Sequence, residues 1–394
     1  MRAFGRSRVR GPLLAVGAAG LAALLAGCGA ASSSSSNAAA TVSGTTLDIV
    51  VGRPPGNSGG QVATDVLHAE RLAFAQSGAK AGSFSLRLVV AHGDEVSANA
   101  RTAVSDTRAI AYIGEIPPGT SGVSVQITNE LGMLQISPTD TAAYLTHSVP
   151  AVAGSPNHWY PTHSTYGETF ARLVPTTISE ASAIVARMQK QKLTSVDVRH
   201  DATPYGVSVA GEVTADAKRA GMTVTTGAPT STTNAFLYAG MPGPSATHAL
   251  DAAASVAPSA HLFAPSALYD DSFVAGLSSA AQGALTVSSP GIPTASLDAV
   301  GRSFVTGFAH AYGHQPAPQA IFGYEAMRAL IATLRSAGAH ANARTTIATD
   351  FRSLSQTAAQ SALGAYSLHG GDTSLRSFVF AKASSGSLTP IAGS

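Results

Sequence analysis

The sequence predicts an α/β fold with parallel strands, and three observations carry that prediction. Residues 109–146 read as strand, tight loop, helix, strand and loop. A unit of that order and size implies a parallel sheet, because parallel neighbours need a long crossover between them. Strand-like and helix-like stretches then alternate along most of the chain, as in α/β architectures. The chain has 394 residues, enough for two lobes of ordinary domain size.

Residues 1–27 are expected to be a targeting segment. Arg2, Arg6, Arg8 and Arg10 give it a positive start, and residues 13–26 are apolar but short for a membrane span. The segment ends in Leu25-Ala26-Gly27-Cys28, which resembles the lipobox of bacterial lipoproteins, where cleavage leaves a lipidated cysteine. The alternative is an ordinary secretory signal. Cys28 is the only cysteine and stands at the cleavage point, which favours lipidation and leaves no intramolecular disulfide. Four of the 24 basic residues lie in this segment with no acid, so the remainder carries 20 basic and 22 acidic residues, a formal net charge of −2. No basic patch for nucleic acid is indicated. Residues 28–46 are rich in Ser, Ala and Gly and are expected to be a flexible tether, with too little apolar surface to order themselves.

The elements follow in order. Strands are expected at 47–51 and 85–90, with helices at 61–77 and 98–107. The apolar run 109–113 ends in Gly114 and leads into the Pro/Gly loop 115–119. Thr120 or Ser121 is placed to cap the next helix, whose Val123, Ile127 and Leu131 recur at helical spacing before Gly132 stops it. The strand 133–136 is broken by Ser137-Pro138-Thr139. Residues 169–175 read as a strand crossing into a second lobe. Strands at 195–199, 222–226, 235–238, 261–264 and 284–288 follow, with helices at 178–190 and 207–220, the latter ended by Gly221. Long helices at 297–312, 324–337 and 345–355 precede short C-terminal strands. In open parallel sheets, ligands sit beyond the carboxyl ends of the strands. The loops 115–121 and 139–141 are therefore the first candidates for a site.

The stretch YIGEIPPGTSGVSVQITNELGMLQISPTDTAAYLT resembles the first-lobe signature of the type I periplasmic binding proteins, in the branched-chain amino acid (leucine-binding) group. The resemblance continues through FARLVP and PYG, FGYEAMRALIATLRSAG and GAYSLHGGDTSLRSFVFAKASSGSL, and it covers nearly all of the chain after residue 43. It implies two α/β lobes, each a mostly parallel sheet flanked by helices, joined by a hinge of crossing strands. The first lobe is expected at 47–168 plus 290–363 and the second at 169–289 plus 364–394. It implies a monomeric substrate-binding component of an ABC importer, outside the cytoplasm and tethered by lipid, that closes on a small polar solute and docks on a permease. No enzyme activity and no cofactor are implied. A sensing or wall-associated lipoprotein of the same fold is the alternative. One departure is visible: only residues 227–234 join two expected strands, where the family usually has a helix. Loss of that helix is favoured over antiparallel pairing.

The resemblance also implies site residues. A ligand carboxylate would be held by hydroxyls and N–H groups at Gly119, Thr120, Ser121, Thr139 and Thr141, where a helix N-terminus favours an anion. Pro117 and Pro118 carry no N–H and remove donors there. Tyr205 in PYG matches a ligand-facing tyrosine, and the family's acidic partner for a ligand ammonium falls near Ser266. Serine cannot neutralise an ammonium, so Asp201, Asp270 or Asp271 would have to substitute. On these grounds a neutral or anionic solute is expected to bind better than a zwitterionic amino acid.

Other motifs carry less. Gly56-Asn57-Ser58-Gly59-Gly60 resembles a protease serine motif, but it follows the first strand of the mature domain, with no histidine base and acid before it. A hydrolase using Ser58 is the less favoured enzymatic alternative. His310 and His314 have i, i+4 spacing, but Gly313 interrupts the helix; His158 and His163 lie in a loop. Neither pair is read as a metal site.

The lipobox yields a first expected outcome. In Cys28→Ser the chain loses membrane tethering and keeps its fold. Detergent-phase partitioning measures this, and a signal-processed variant that still partitions with membranes would count against lipid anchoring.

Overall fold

The computed structural model describes residues 41–56 and 59–391. Residues 1–40, with Cys28, and Ser58 lie outside the described residues. The first lobe is built from β1 (Thr46–Gly52), α1 (Gly60–Gln76), β2 (Lys80–Ala81), β3 (Phe84–Ala91), α2 (Val96–Ser105), β4 (Ala109–Ile113), α3 (Ser121–Asn129), β5 (Leu134–Ser137), α4 (His163–Tyr166) and β6 (Phe170–Arg172). Its sheet has the order β2-β3-β1-β4-β5-β6, parallel except for β2 against β3. β1 and β4 are buried along nearly their whole length, which explains their continuous apolar runs: a central parallel strand is covered on both faces.

The second lobe contains α5 (Thr177–Lys190), β7 (Ser195–His200), α6 (Pro204–Arg219), β8 (Thr223–Thr225), β9 (Ala235–Ala239), α7 (Pro244–Val256), β10 (His261–Ala264), α8 (Asp271–Ala275), α9 (Ser279–Ala284) and β11 (Leu285–Pro290). The chain then returns to the first lobe as α10 (Ala299–Tyr312), α11 (Ala320–Ala337), α12 (Arg344–Arg352) and the small antiparallel sheet β12 (Ser355–Gln356), β13 (Tyr366–His369) and β14 (Asp372–Thr373). β15 (Phe378–Ser384) and β16 (Ser387–Pro390) complete the second sheet, order β16-β15-β11-β10-β9-β7-β8. Phe322, Met327, Leu330 and Ile331 of α11 fill the first core against Val66, Leu67 and Ala69 of α1. The two helices touch at Gly323, where a Cβ would stand 2.8 Å from the Val66 carbonyl oxygen.

Boundaries differ from expectation in three places. Val42 is fully buried, and its N–H and carbonyl both bond Asn342. Residues 41–46, inside the stretch expected to be tether, are therefore held against the first lobe, because one valine finds a seat in the core. The strand expected to cross into the second lobe pairs with β5 in the first sheet; the crossing follows Arg172. Tyr366 and Leu368 pack in the first core, so β13 belongs to that lobe.

The helix-poor crossover has a physical account. β8 and β9 flank β7 and both run parallel to it. Residues 226–234 link them without a helix. Asp197 of β7 accepts hydrogen bonds from Thr225 and Thr233, one at each end of the link. A three-residue strand shortens the return path enough for an extended link to span it.

Several glutamates are buried inside the lobes. Burial pushes Glu115 and Glu212 up to about 7 and Glu325 up to about 6, and it raises Glu70 well above its ordinary value. A carboxyl whose folded pKa is raised binds more protons in the native state. Its favourable contribution is full below the unfolded value near 4.5 and is lost as pH rises through the folded value. Burial lowers His68 and His261, which act in the opposite sense below pH 6.5, but both are only partly buried. Stability at pH 5.5 is therefore expected to exceed that at pH 7.5 by on the order of 2 kcal/mol. Urea denaturation at the two pH values measures this; an equal or higher midpoint at pH 7.5 contradicts it.

Candidate functional site

The carboxyl ends of both sheets face one another. From the first lobe come the loops after β1, β4 and β5; from the second come those after β9, β10 and β11. They enclose a cavity of about 50 Å³ lined by Val62, Ile116, Pro117, Pro118 and Thr139 on one side and Met241, Ser266, Ala267, Tyr269 and Asp270 on the other. A vestibule of about 230 Å³ adjoins it, sharing Val62, Tyr269 and Asp270 and adding Asp65, Asp271 and His314. A larger open groove of about 830 Å³ lies on the first lobe alone, between α1, α11 and α12. Its Arg328 and Glu325 stand 3.8 Å apart, and closure of the two lobes cannot act on it.

The expected anion cradle is filled from within. Asp140 is fully buried and accepts from the N–H groups of Gly119 (2.7 Å), Ser121 (2.9 Å) and Ala142 (3.0 Å). Its carboxylate thus caps α3 and ties the two loops together. Thr120 occupies the cap position, but its hydroxyl donates to the Pro117 carbonyl (2.5 Å) and caps nothing. The Ser121 hydroxyl accepts from Glu115 N–H (3.2 Å), and the Thr139 hydroxyl donates to the Ile116 carbonyl. Of the hydroxyls expected to hold a carboxylate only that of Thr141 reaches the other lobe.

The inward face of α3 is also the reverse of expectation. Val123 is exposed, while Ser124, Val125, Thr128 and Asn129 are buried. Ser124 and Thr128 bond the Gln135 side chain (2.7 and 2.9 Å), and Asn129 bonds Gly167, Thr162 and Thr169. Satisfied polar groups let the small-residue face pack inward, where Trp159 lies against Gly122.

Ser266 sits where the acid was missing, and an acid stands behind it. Glu180 of α5 is fully buried. It accepts from Ser266 N–H (2.6 Å), the Ser288 hydroxyl (2.6 Å), the Ser266 hydroxyl (3.2 Å), Tyr205 (3.4 Å) and Thr141 (3.5 Å). Burial raises its pKa against the pull of these bonds. Thr141, Tyr205 and Ser266 are thus brought together on one carboxylate that spans the lobes. Sequence reasoning missed Glu180 because an acid in a helix's first turn ordinarily reads as a partner of the helix dipole. Of the suggested substitutes, Asp270 lines the cavity, with Oδ1 bonded to Ser272. Asp271 lines the vestibule and accepts from Leu388 N–H (2.8 Å). Asp201 accepts from Thr203 N–H and from Met241 N–H, so it ties the loop after β7 to the loop after β9 and does not line the cavity.

Gln319 was not foreseen. It precedes α11, is 4% exposed, and its Oε1 has no hydrogen-bond partner while the residue lines the cavity. No sequence signal marks it, since glutamine before a helix is unremarkable. His314 lies beyond the end of α10, 3.6 Å from Asp65, and shares no helix face with His310. His158 packs edge-on to Trp159, and His163 lies near Tyr160.

No protein-family model matches the sequence, and no curated protein matches it. Solved structures do share the fold. A leucine-binding protein of Thermotoga maritima is 17% identical with a TM-score of 0.70, over 88% of this chain and 98% of that one. An ABC transporter substrate-binding protein of Desulfitobacterium hafniense, in complex with Leu, is 19% identical with a TM-score of 0.69, over 88% and 100%. A solute-binding protein of R. palustris in complex with benzoate is 16% identical with a TM-score of 0.65, over 89% and 96%. The architecture is the two-lobe type I periplasmic binding protein fold.

The lobes also approach closely at Gly119, whose φ is +80° and whose Cβ would stand 2.8 Å from Tyr205 Cβ. Gly119→Ala is therefore expected to disfavour this juxtaposition of the lobes by about 1–3 kcal/mol. Small-angle scattering should read a larger radius of gyration than for the native chain; an identical profile would show that the loop absorbs the methyl group.

Proposed function

We propose that this chain is an extracytoplasmic solute-binding lipoprotein of an ABC importer. It holds a small solute between its lobes and closes about a hinge. The observation that carries the reading is the cavity walled by strand-end loops of both lobes. A solute there touches both lobes at once and so stabilises the closed state relative to the open one. The contact of Thr141 with Glu180 and Ser266 is the seam along which the lobes meet. The structural relatives described as substrate-binding or solute-binding components of ABC transporters, with leucine or benzoate bound, support the same reading. The docking partner is then a membrane permease. The lipobox at Cys28 supplies the tether, and the first-lobe groups Thr139 and Thr141 with Tyr205 and Ser266 of the second contribute to the seam. The chemistry is binding, without a catalytic step.

A thermal-shift screen tests this. The full-length chain in detergent, followed by the fluorescence of its single tryptophan, Trp159, is expected to melt higher with at least one small solute. A ligand specific for the native state at one hundred times its Kd adds about 2.7 kcal/mol. A broad screen of amines, amino acids, amides and carboxylates with no shift would sink the reading.

A further inference from the structure

The lining of the cleft sorts solutes by charge. An anion entering it needs hydrogen-bond donors that are free to turn towards it. The N–H groups of Gly119, Ser121 and Ala142 are spent on Asp140. The hydroxyls of Thr120 and Thr139 are spent on the carbonyls of Pro117 and Ile116. Pro117 and Pro118 line the cavity and carry no N–H. The Ser266 hydroxyl is held by Glu180. Neither the cavity nor the vestibule is lined by a lysine or arginine.

A cation or N–H donor meets the opposite situation. Asp270 lines both the cavity and the vestibule, and its Oδ1 is bonded only to the neutral Ser272. Asp65 and Asp271 add two more carboxylates to the vestibule, facing one histidine, His314. Independently of that acidic rim, Gln319 presents an amide oxygen that is buried and unpartnered. A buried polar atom without a partner is unfavourable, and an N–H donor on the solute satisfies it. Around these groups the walls are apolar: Val62, Ile116, Pro117, Pro118, Met241 and Tyr269.

We infer that the cleft takes a solute with a compact apolar body and a protonated amine, and that it rejects carboxylates. The ammonium lies between Asp270 and the Gln319 amide, and the hydrocarbon lies against the prolines and Tyr269. Asp140 acts as a built-in anion that occupies the place an external carboxylate would take. This inference rests on the binding reading above and narrows it. It also reverses the preference for neutral or anionic solutes expected from the sequence, because the donors assumed to be free are already bonded.

Three solutes of one carbon skeleton test it: 3-methylbutylamine, leucine and 4-methylpentanoate, titrated by calorimetry into the full-length chain in detergent. The amine is expected to bind at least tenfold more tightly than either carboxylate-bearing solute. Asp270→Asn keeps an acceptor for Ser272 and should weaken the amine at least tenfold, as should Gln319→Ala to a smaller degree, with unchanged circular dichroism. Equal or tighter binding of 4-methylpentanoate or leucine overturns the inference, as does amine binding insensitive to Asp270→Asn, or no binding by any of the three. The binding reading itself stands or falls on the wider screen: a carboxylate hit there sustains that reading and sinks this one.

Discussion

The constraint on which the cleft depends is the placement of the Asp140 carboxylate. Two loops that leave neighbouring strands have no regular pairing of their own. One buried acid gathers the N–H groups of Gly119, Ser121 and Ala142, and so fixes the start of α3 against the end of β5. The other side of the same loop is held by Arg172, fully buried, which donates to the carbonyls of Asp140 (3.1 Å) and Ala142 (2.6 Å). Asp372 lies 2.9 Å from that guanidinium; burial alone would raise this carboxyl, but Arg172 and His147 hold it below its ordinary value. Removing the acid would leave several buried N–H groups unpaired, each costing about 1–3 kcal/mol.

Glu180 plays the corresponding part across the seam. Its acceptor capacity is filled mostly by its own lobe, through Ser266, Ser288 and Tyr205, and finished by Thr141 from the other. Buried polar groups are expensive when partly satisfied and specific when fully satisfied. The bond from the other lobe is the longest of the set, 3.5 Å, and those from Ser266 N–H and Ser288 are the shortest, 2.6 Å each. The seam is further held by the Thr177 N–H, which donates to the Thr141 carbonyl at 2.7 Å, and by Ala142–Leu145, which pack with Ile184, Tyr205 and Val209.

How much was legible in the sequence follows from what each residue's partner is. The buried strands β1, β4 and β9 were legible because a strand covered on both faces leaves a continuous apolar run. The missing helix at residues 227–234 was legible from chain length alone. Helix α7 was not foreseen, although Pro244 at its first turn and Leu250, Ala253 and Ala254 on its buried face are ordinary signals. The face of α3 was misread because hydrophobicity was counted where hydrogen bonding decides: Thr128 goes inside because Gln135 is there to meet it. The same holds for the site. The order of loops pointed to residues that line the cavity, such as Thr139 and Ser266, but which donors are free depends on Asp140, Glu180 and Gln319, and these are defined by contacts distant in sequence.

The chain path has a bearing on the order of folding. All of the second lobe except β15 and β16 is inserted between β6 and α10, and the first core is closed by helices from late in the chain. Tyr324 of α11 bonds Gln76 of α1 across 248 residues, and Tyr312 bonds the His68 carbonyl across 244. Until α11 has been made, the sheet β1–β6 has one face open and its loop-closure entropy unrecovered. A nascent chain of this topology therefore completes its first core only once most of it has left the ribosome.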